Sequence, residues 1–438
     1  MHLLALALTL AQAVEYALTH SPSVAKQLAV VAQAQSQFVS SRSQRLPNIN
    51  GTLSNQMQKS MNYSAYTIIG VPQANVFSEN QAYIGTNYTL YNGGLSRWQM
   101  LVARQQFEQS EADLRKIKDQ IATDVSSGYY DLASKNETVR LDAADVNYQN
   151  LLVEISQAKV RAGVAAGVDV LSAQAQREKS RYALVSAQAD SENSRETLAH
   201  LIGAPLETQF EVASQVAQPP LPNKPLEGLI SLAQSSRPEV ASAKDAVTIA
   251  EFNRRSADSN LLPQVQTFAS FGNQFSPTAA VQAAELGTPV PRGNPGFWNI
   301  GVNSTLTLPF VDWGARAENH RSLNEQIVAA DATLDTTESQ VELDVRHAYR
   351  DAQTALRQIA SAQQETRFAT EASRIARLQY LHGLKSITDV FQAQDTALSA
   401  QTDLFNARVA YVDALVRLRV ALGIYDAPSA VADLQVSQ

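Results

Sequence analysis

The sequence predicts a mainly α-helical fold with a small β part, built as two tandem repeats of long antiparallel helices. The stretch 163–174 returns as 383–394 at an offset of 220 residues, with Gly, Asp-Val and Ala-Gln at matching places. Each motif follows 67 residues without proline, a length that gives a helix of about 100 Å and fits no globular core. After each Leu-Pro pair the apolar pattern changes from helical to alternating, which indicates strands.

The composition favours long helices that pack through narrow seams. The chain of 438 residues contains 18 Gly, 16 Pro and only 7% aromatic residues, which is a thin supply for two compact cores. The net charge of −7 and the lack of a Lys/Arg cluster argue against binding of nucleic acid. Because cysteine is absent, the sequence excludes disulfides, thiolate metal sites and a lipid-accepting cysteine within it.

The first repeat is assigned to residues 1–217. Residues 1–8 resemble the end of a signal-peptide apolar segment, although the first turns of a helix explain them more simply. Pro22 opens a helix, which stops before Pro47 because the residue preceding a proline disfavours the helical conformation. The helices expected in this repeat are 22–46, the long helix 95–161 and the returning helix 168–202.

A Pro-rich linker at 218–228 separates the first repeat from the second, 229–438, and is expected midway along the helices, in an equatorial region. The second repeat follows the same order and ends in a C-terminal equatorial tail. Its helices are expected at 315–381, the long helix, and at 388–422, the returning helix. In the long helix, apolar residues spaced by four and three indicate a coiled-coil seam. These residues are Val341, Val345, Ala348, Ala352, Ala355, Ile359 and Ala362.

Two strands are expected in each repeat, with one apolar or aromatic face and one small or polar face. The four strands are about 48–58, 82–91, 264–274 and 298–308. A single hairpin of this kind would most simply be soluble, but two equivalent hairpins with strands of about ten residues match membrane-spanning strands. Because four strands cannot close on themselves and open edges in lipid leave backbone groups unpaired, closure requires several copies of the chain.

Two hairpin tips join the long helices to the returning helices and carry the polar residues of greatest interest. Asp169 and Asp389 stand at the beginning of the returning helices, where a carboxylate suits the unpaired N–H groups and the helix dipole. That role explains both aspartates without any further function. It does not explain Tyr380 and Lys385, which flank the second tip only.

No pattern points to catalysis, to a cofactor or to a metal site. The six histidines lack metal-ligand spacing, and the sequence has no nucleophile elbow, phosphate-binding glycine loop or zinc-binding helix motif. A Ser-x-x-Lys match at Ser23 and Lys26 lacks the companion motifs of penicillin-binding enzymes. We therefore expect a protein that is not an enzyme and that needs no cofactor.

Taken together, the repeated elements resemble the TolC-like family of outer-membrane efflux proteins. The resemblance rests on Pro22 and Pro238, the Leu-Pro pairs ending at Pro47 and Pro263, the turns ending at Gly94 and Gly314, and the two Gly-x5-Asp-Val tips. It extends from Leu10 to about Tyr425. It implies a homotrimer that forms a transmembrane β-barrel from four strands of each chain, a long periplasmic α-helical barrel and an equatorial collar.

The resemblance also implies roles for the tips. Asp169 would bond to Tyr380 and Lys385, and these residues together with Asp389 would form a gate that holds the periplasmic end closed. The family often has arginine where Lys385 stands, so a point charge replaces a bidentate partner. Gln392 takes the place of an acidic residue found in the best-known members, which reduces a double acidic ring to one. The residues implied to dock an adaptor are Gly163, Val164, Ala165, Gly383 and Leu384.

The function implied is an exit duct in the Gram-negative outer membrane that extends into the periplasm and serves a tripartite efflux or type I secretion system. Its expected surroundings are outer-membrane lipid, two further copies of the chain, a periplasmic adaptor (membrane fusion) protein and an inner-membrane pump. The alternative is a soluble coiled-coil periplasmic scaffold without transport activity. The alternating aromatic strands separate the two, because a scaffold should purify without detergent. A water-filled duct needs no substrate-shaped pocket, so the sequence names no cargo.

Overall fold

Helices dominate the part of the chain that the structure, a computed structural model, describes, namely residues 7–59, 76–212, 216, 218–222, 224–275, 296–306 and 311–424. In chain order the elements are β1 Ala7–Leu8, α1 Leu10–His20, α2 Pro22–Ser43, β2 Asn48–Lys59, β3 Val76–Asn92, α3 Leu95–Arg161, α4 Gly167–Ile202, β4 Glu211–Val212, α5 Leu226–Ser236, α6 Pro238–Ser259, β5 Gln264–Phe275, β6 Gly296–Thr305, α7 Ala315–Leu381 and α8 Ile387–Ala421. Among the described residues, no helix combines the length and the apolar character that crossing a lipid bilayer requires.

Contacts divide the chain into two compact units, and each unit combines segments from both halves of the sequence. The sheet unit comprises residues 32–108 and 245–331, and the bundle unit comprises the rest. This division differs from the repeats expected at 1–217 and 229–438, because the long helices α3 and α7 each supply residues to both units. The repeats describe the order of elements along the chain, and that assignment stays a prediction.

The sheet unit contains one antiparallel sheet of four strands in the order β2, β3, β5, β6. Directly opposite residues share a face, so Gly51, Ile84, Phe271 and Trp298 form one row across all four strands. The large apolar residues of this face are exposed: Ile49, Leu53, Met57, Ile84, Phe271, Trp298, Ile300 and Val302. β3 begins six residues earlier than the expected strand 82–91, and the end of the expected strand 298–308 lies outside the described residues.

On the other face, two glycines permit close approach between strands. A Cβ at Gly272 would overlap the carbonyl oxygen of Ala82 and the Cβ of Tyr83. A Cβ at Gly301 would lie 2.5 Å from the ring of Phe268, which covers the glycine from the neighbouring strand. Most other side chains on this face are polar, so the sheet keeps the apolar and polar faces that the alternation predicted.

The core of the bundle unit is a cluster of buried residues from α1, α3, α4, α7 and α8, in which α1 lies against α4. Val14 and Ala17 of α1 are fully buried there, in a cluster that includes Leu198 and Tyr411. The Tyr411 hydroxyl donates a hydrogen bond of 2.6 Å to the carbonyl oxygen of Pro219, which holds the chain between the repeats against α8. The short strands β1 and β4 pair in parallel beside this core.

The coiled-coil seam predicted for α7 is confirmed, since all seven of its residues are buried. Toward its C-terminal end, α8 buries Phe405, Val412, Leu415 and Val416 in addition to Tyr411 and Leu418. The helix therefore presents a wide apolar face at that end rather than a narrow seam.

Candidate functional site

The two hairpin tips have the same backbone structure. Gly163 and Gly383 adopt positive φ angles of 75° and 76°, which favour glycine. After each glycine the next N–H group bonds back across the turn, from Val164 to the carbonyl of Lys159 and from Leu384 to the carbonyl of Gln379. These are Schellman motifs, which end a helix and turn the chain. The tips are thus defined turns with matching geometry.

The returning helices begin differently at the two tips. In α8, the Ser386 hydroxyl accepts a hydrogen bond from the N–H of Asp389, and the Asp389 carboxylate accepts one of 3.0 Å from the N–H of Ser386. This reciprocal arrangement is a capping box. α4 has Ala166 at the equivalent place, which offers no side-chain cap. The Asp389 carboxylate is therefore occupied by its own helix, whereas Asp169 of α4 is not used in this way.

The capping box also stabilises the charged form of Asp389. Hydrogen bonds from the hydroxyl and the N–H of Ser386, aided by the nearby positive charge of Lys385, lower the pKa of the Asp389 carboxyl from its ordinary value. The side chains of Asp389 and Lys385 both lie in an exposed segment. Asp389 is thus a carboxylate at neutral pH, and its charge stands at the second tip.

Tyr380, just before the second tip, is buried. It is 2% exposed and packs with Leu152, Ile387 and Val390. Burial, and secondarily the negative charge of Asp169, raise the pKa of its hydroxyl. The ammonium group of Lys159 lies 4.2 Å from the centre of the Tyr380 ring and donates a hydrogen bond to the Tyr380 carbonyl oxygen. Lys159 therefore connects the long helix of the first repeat to that of the second.

These contacts differ from the bonding expected at the gate. In the single chain the hydroxyl of Tyr380 has no hydrogen-bond partner among the described residues, and the gate itself stays a prediction. Lys385 likewise forms no ion pair with Asp169 in the described part of the chain. The cation that contacts Tyr380 is Lys159, which the sequence did not identify because it lies 221 residues away.

A buried polar cluster connects four helices of the bundle unit. Asp145 of α3 is 4% exposed, and its carboxylate accepts hydrogen bonds from Ser180 of α4 at 2.6 Å and from Gln394 of α8 at 3.0 Å. Gln149 donates a third bond at 3.3 Å, and Ser373 of α7 donates to Gln394 at 2.9 Å. Nothing in the sequence distinguished Asp145 from the exposed acidic residues of these helices.

The tips expose apolar side chains that are not needed for the turn. Val164 is 68% exposed and Leu384 76%, and Gly163, Ala165 and Gly383 leave the backbone around them accessible. The structure thus places the five expected docking residues on two small apolar surfaces. Within the described part of the chain, no group of His, Cys, Asp or Glu is arranged to hold a metal ion.

Ser386→Ala is expected to raise the pKa of Asp389 toward that of an ordinary aspartate, about 4. The capping hydrogen bonds lower the pKa of the Asp389 carboxyl in the folded protein below its value in the unfolded chain. They therefore stabilise the tip fully at pH values above the unfolded pKa, and this stabilisation is lost as the pH falls through the folded pKa. Carbon NMR of labelled aspartate in the whole protein measures the shift. Ser399→Ala, which removes a hydroxyl from the middle of α8, is the control and should leave the Asp389 pKa in place. An Asp389 pKa that is equal in both variants would contradict the capping account.

Comparison with known proteins relates most of the chain to one family. The profile described as "Outer membrane efflux protein" matches residues 13–204 and 229–424. The pyoverdine export outer membrane protein OpmQ of Pseudomonas aeruginosa is 26% identical over 420 residues, which cover 93% of this chain and 83% of that protein. The outer membrane protein TolC of Vibrio cholerae is 26% identical over 411 residues, covering 90% and 87%.

Solved structures show the same fold. The outer membrane channel CmeC of Campylobacter jejuni superimposes with a TM-score of 0.78 at 20% identity, over 98% of this chain and 89% of that one. The agreement thus includes both the long helices and the sheet.

Proposed function

The chain belongs to the outer membrane efflux protein family, as its motifs predicted, and we propose that three copies of it assemble into the working exit duct. Members of this family are outer-membrane channels rather than enzymes, and they extend from the outer membrane into the periplasm. The chain therefore conducts substrates outward in a tripartite efflux or type I secretion system. We likewise propose that the duct binds a periplasmic adaptor and serves an inner-membrane pump, and that its tips form a gate.

The observation that carries the assembly is the sheet with its two open edges. Within the described part of the chain, β2 and β6 are the outer strands, and each has a neighbouring strand on one side only. The apolar face carries side chains as exposed as Leu53 at 87% and Trp298 at 75%, which suits contact with lipid. In lipid, unpaired backbone groups along β2 and β6 would cost several kcal/mol each, so these edges require partners. Pairing β6 of one copy with β2 of the next satisfies both edges when three copies close a ring.

The polar face of the sheet fits the lining of a water-filled duct. Asn50, Thr52 and Asn303 lie on it, opposite to the lipid-facing row. Gly272 and Gly301 also lie on this face, where their missing side chains leave room for Tyr83 and Phe268. A duct of this kind selects cargo by width and charge, so the pump and the adaptor determine which substrate enters.

At the tips we assign closure to contacts between the two long helices and to the charge at the second tip. Lys159 holds the Tyr380 backbone and ring, and Asp169 stands near enough to influence Tyr380 electrostatically. Asp389 and Lys385 place one negative and one positive charge at the exposed end of the second tip. Three copies brought together would set these charges around one opening, where they attract or repel ions and each other.

The assembly is tested by extraction and mass measurement. Membranes that contain the protein should release it only with detergent, as a particle with three times the chain mass of 47.6 kDa after correction for bound detergent. A monodisperse monomer obtained without detergent would overturn the proposal and favour the coiled-coil scaffold.

Leu384→Glu is expected to weaken binding of a periplasmic adaptor at least about tenfold, because an apolar contact is lost and a charge must be desolvated. Leu384 is exposed and contributes nothing to the core, so the yield of assembled trimer should not change. Ala165→Glu at the first tip should act in the same way. Co-purification with the cognate adaptor, together with export assays in cells, measures the effect.

His382→Glu is the matched control, since it adds the same charge two residues from Leu384 without removing an apolar side chain. It should lower adaptor binding less than Leu384→Glu does. Unchanged export with Leu384→Glu and with Ala165→Glu would place docking elsewhere on the chain.

A further inference from the structure

Arginines are concentrated in the sheet unit where the chain passes between helices and strands. The stretches 38–47, 93–102, 254–263 and 312–321 contain seven arginines, no lysine and three acidic residues, although the whole chain has a net charge of −7. Three of the stretches directly adjoin one end of the sheet, where β2 and β5 begin and β3 and β6 end. The fourth, 312–321, is linked to the third by His320, whose Nε2 lies 3.5 Å from the Asp258 carboxylate. We call this end of the sheet the arginine end. The seven arginines are Arg42, Arg45, Arg97, Arg254, Arg255, Arg316 and Arg321.

Most of these arginines lack a carboxylate partner. Only Arg316 forms an ion pair within the described residues of this group, with Asp312 at 2.6 Å. Arg45 instead contacts the sulfur of Met100. Arg254 is half-buried, and its Nε has no hydrogen-bond partner among the described residues. Six of the seven arginines therefore have guanidinium groups with which no carboxylate of the described residues pairs.

Trp98 organises part of the arginine group. Arg97 and Arg255 lie over its indole, with guanidinium carbons 5.5 and 5.1 Å from the ring centre. Phe252 packs against the same ring at 5.7 Å. The indole thus holds two guanidinium groups from different helices beside each other by cation–π contact, which leaves their N–H groups available.

Trp313 is a second feature of the arginine end of the sheet. It is 95% exposed and adopts a φ of +51°, a conformation that costs energy for any residue other than glycine. The matching position of the first repeat is Gly93, with a φ of +67°. An exposed, strained tryptophan in place of glycine is not explained by packing. Tryptophan side chains do concentrate at the boundary between membrane and water.

We propose that the arginine end of the sheet is a binding site for the phosphate groups of anionic phospholipids. The proposal rests on the proposed function, which places the adjoining apolar face of the sheet in the bilayer. Lipid chains would then lie along Ile300 and Val302, and their headgroups would reach the layer of arginines. Arginine suits this role better than lysine, because its fork of donors matches the oxygens of a phosphate group and it is less strongly hydrated.

The site is tested on the detergent-extracted assembly by native mass spectrometry. The assembly is offered equal amounts of phosphatidylglycerol and zwitterionic phosphatidylcholine, and the lipids retained are counted. The expected result is a preference of roughly tenfold for phosphatidylglycerol, given the attraction that each basic residue near a membrane contributes. Equal retention of the two lipids would contradict the proposed site for anionic phospholipids, but it would not contradict the proposed function. Retention of neither lipid by any assembly would instead contradict the proposed function.

A triple variant then assigns the preference to the arginines. Arg42→Gln, Arg97→Gln and Arg255→Gln together change exposed side chains only, so the fold should persist, and the preference should fall to about twofold or less. The control removes the same charge elsewhere, through Arg161→Gln, Arg357→Gln and Arg367→Gln, and should keep the preference. If both triple variants lose the preference for phosphatidylglycerol equally, the preference reflects net charge alone, and the proposed binding site is contradicted. Inorganic phosphate in large excess should leave the lipid bound, and complete displacement would identify free phosphate as the occupant instead.

Discussion

Asp145→Ala is expected to destabilise the helical bundle by about 2–4 kcal/mol, which would lower its thermal midpoint by several degrees. The carboxylate of Asp145 is the common acceptor for Ser180, Gln394 and Gln149. Removing it leaves these donors buried without a partner, and each such group costs free energy. The helical circular dichroism signal of the detergent-extracted protein, followed during heating, measures the loss.

Glu365→Ala is the matched control for this variant. Glu365 stands 220 residues after Asp145, at the equivalent place of the second repeat, but it is exposed. Its replacement should change the midpoint little. Asp145→Asn should give an intermediate loss, because one of the two carboxylate oxygens becomes a donor that faces other donors. If Asp145→Ala and Glu365→Ala unfold at the same temperature, the cluster does not stabilise the bundle.

Gly272→Val is expected to have the largest effect on assembly, because it prevents β3 and β5 from pairing in register. Any Cβ at this position meets the backbone carbonyl of Ala82, which cannot move without opening the sheet. We expect a cost of more than about 4 kcal/mol, and little or no folded trimer recovered from membranes. Gel electrophoresis without heating, which preserves the folded trimer, measures the recovered fraction.

Gly51→Val provides the control within the same sheet. Gly51 lies on the apolar face opposite Ile84, and a Cβ there meets nothing within 4 Å. It should therefore assemble at close to the unmodified level, since valine also suits a strand. Normal recovery of the Gly272→Val trimer would show that the pairing of β3 with β5 seen in the structure is not the one in the membrane.

The sequence was most informative where single residues end an element. Glycine and proline mark the limits of the helices, so the long helices 95–161 and 315–381 have the bounds expected from the sequence. The alternation around Ile84 and Trp298 likewise predicted which side chains share a face. These features depend on neighbours in the chain, which the sequence shows directly.

Contacts between distant parts of the chain were not predictable in the same way. Lys159 and Tyr380 meet across two helices, and neither position differs in pattern from other residues of a long helix. The burial of Asp145 depends on the three helices around it, which no local spacing reveals. The capping box of Ser386 and Asp389 could be predicted from the three-residue spacing of serine and aspartate at the start of the helix.

The proposed function requires that the chain form a duct whose own tips hold it nearly closed. Single-channel recording in a planar lipid bilayer tests this most directly. The purified protein should give discrete conductance steps of small size, and Lys159→Met combined with Lys385→Ala should enlarge them severalfold, because both cations assigned to the closed tips are removed. Discrete steps that the double variant leaves unchanged would contradict the assigned closure. An absence of steps from correctly folded protein would contradict the duct itself.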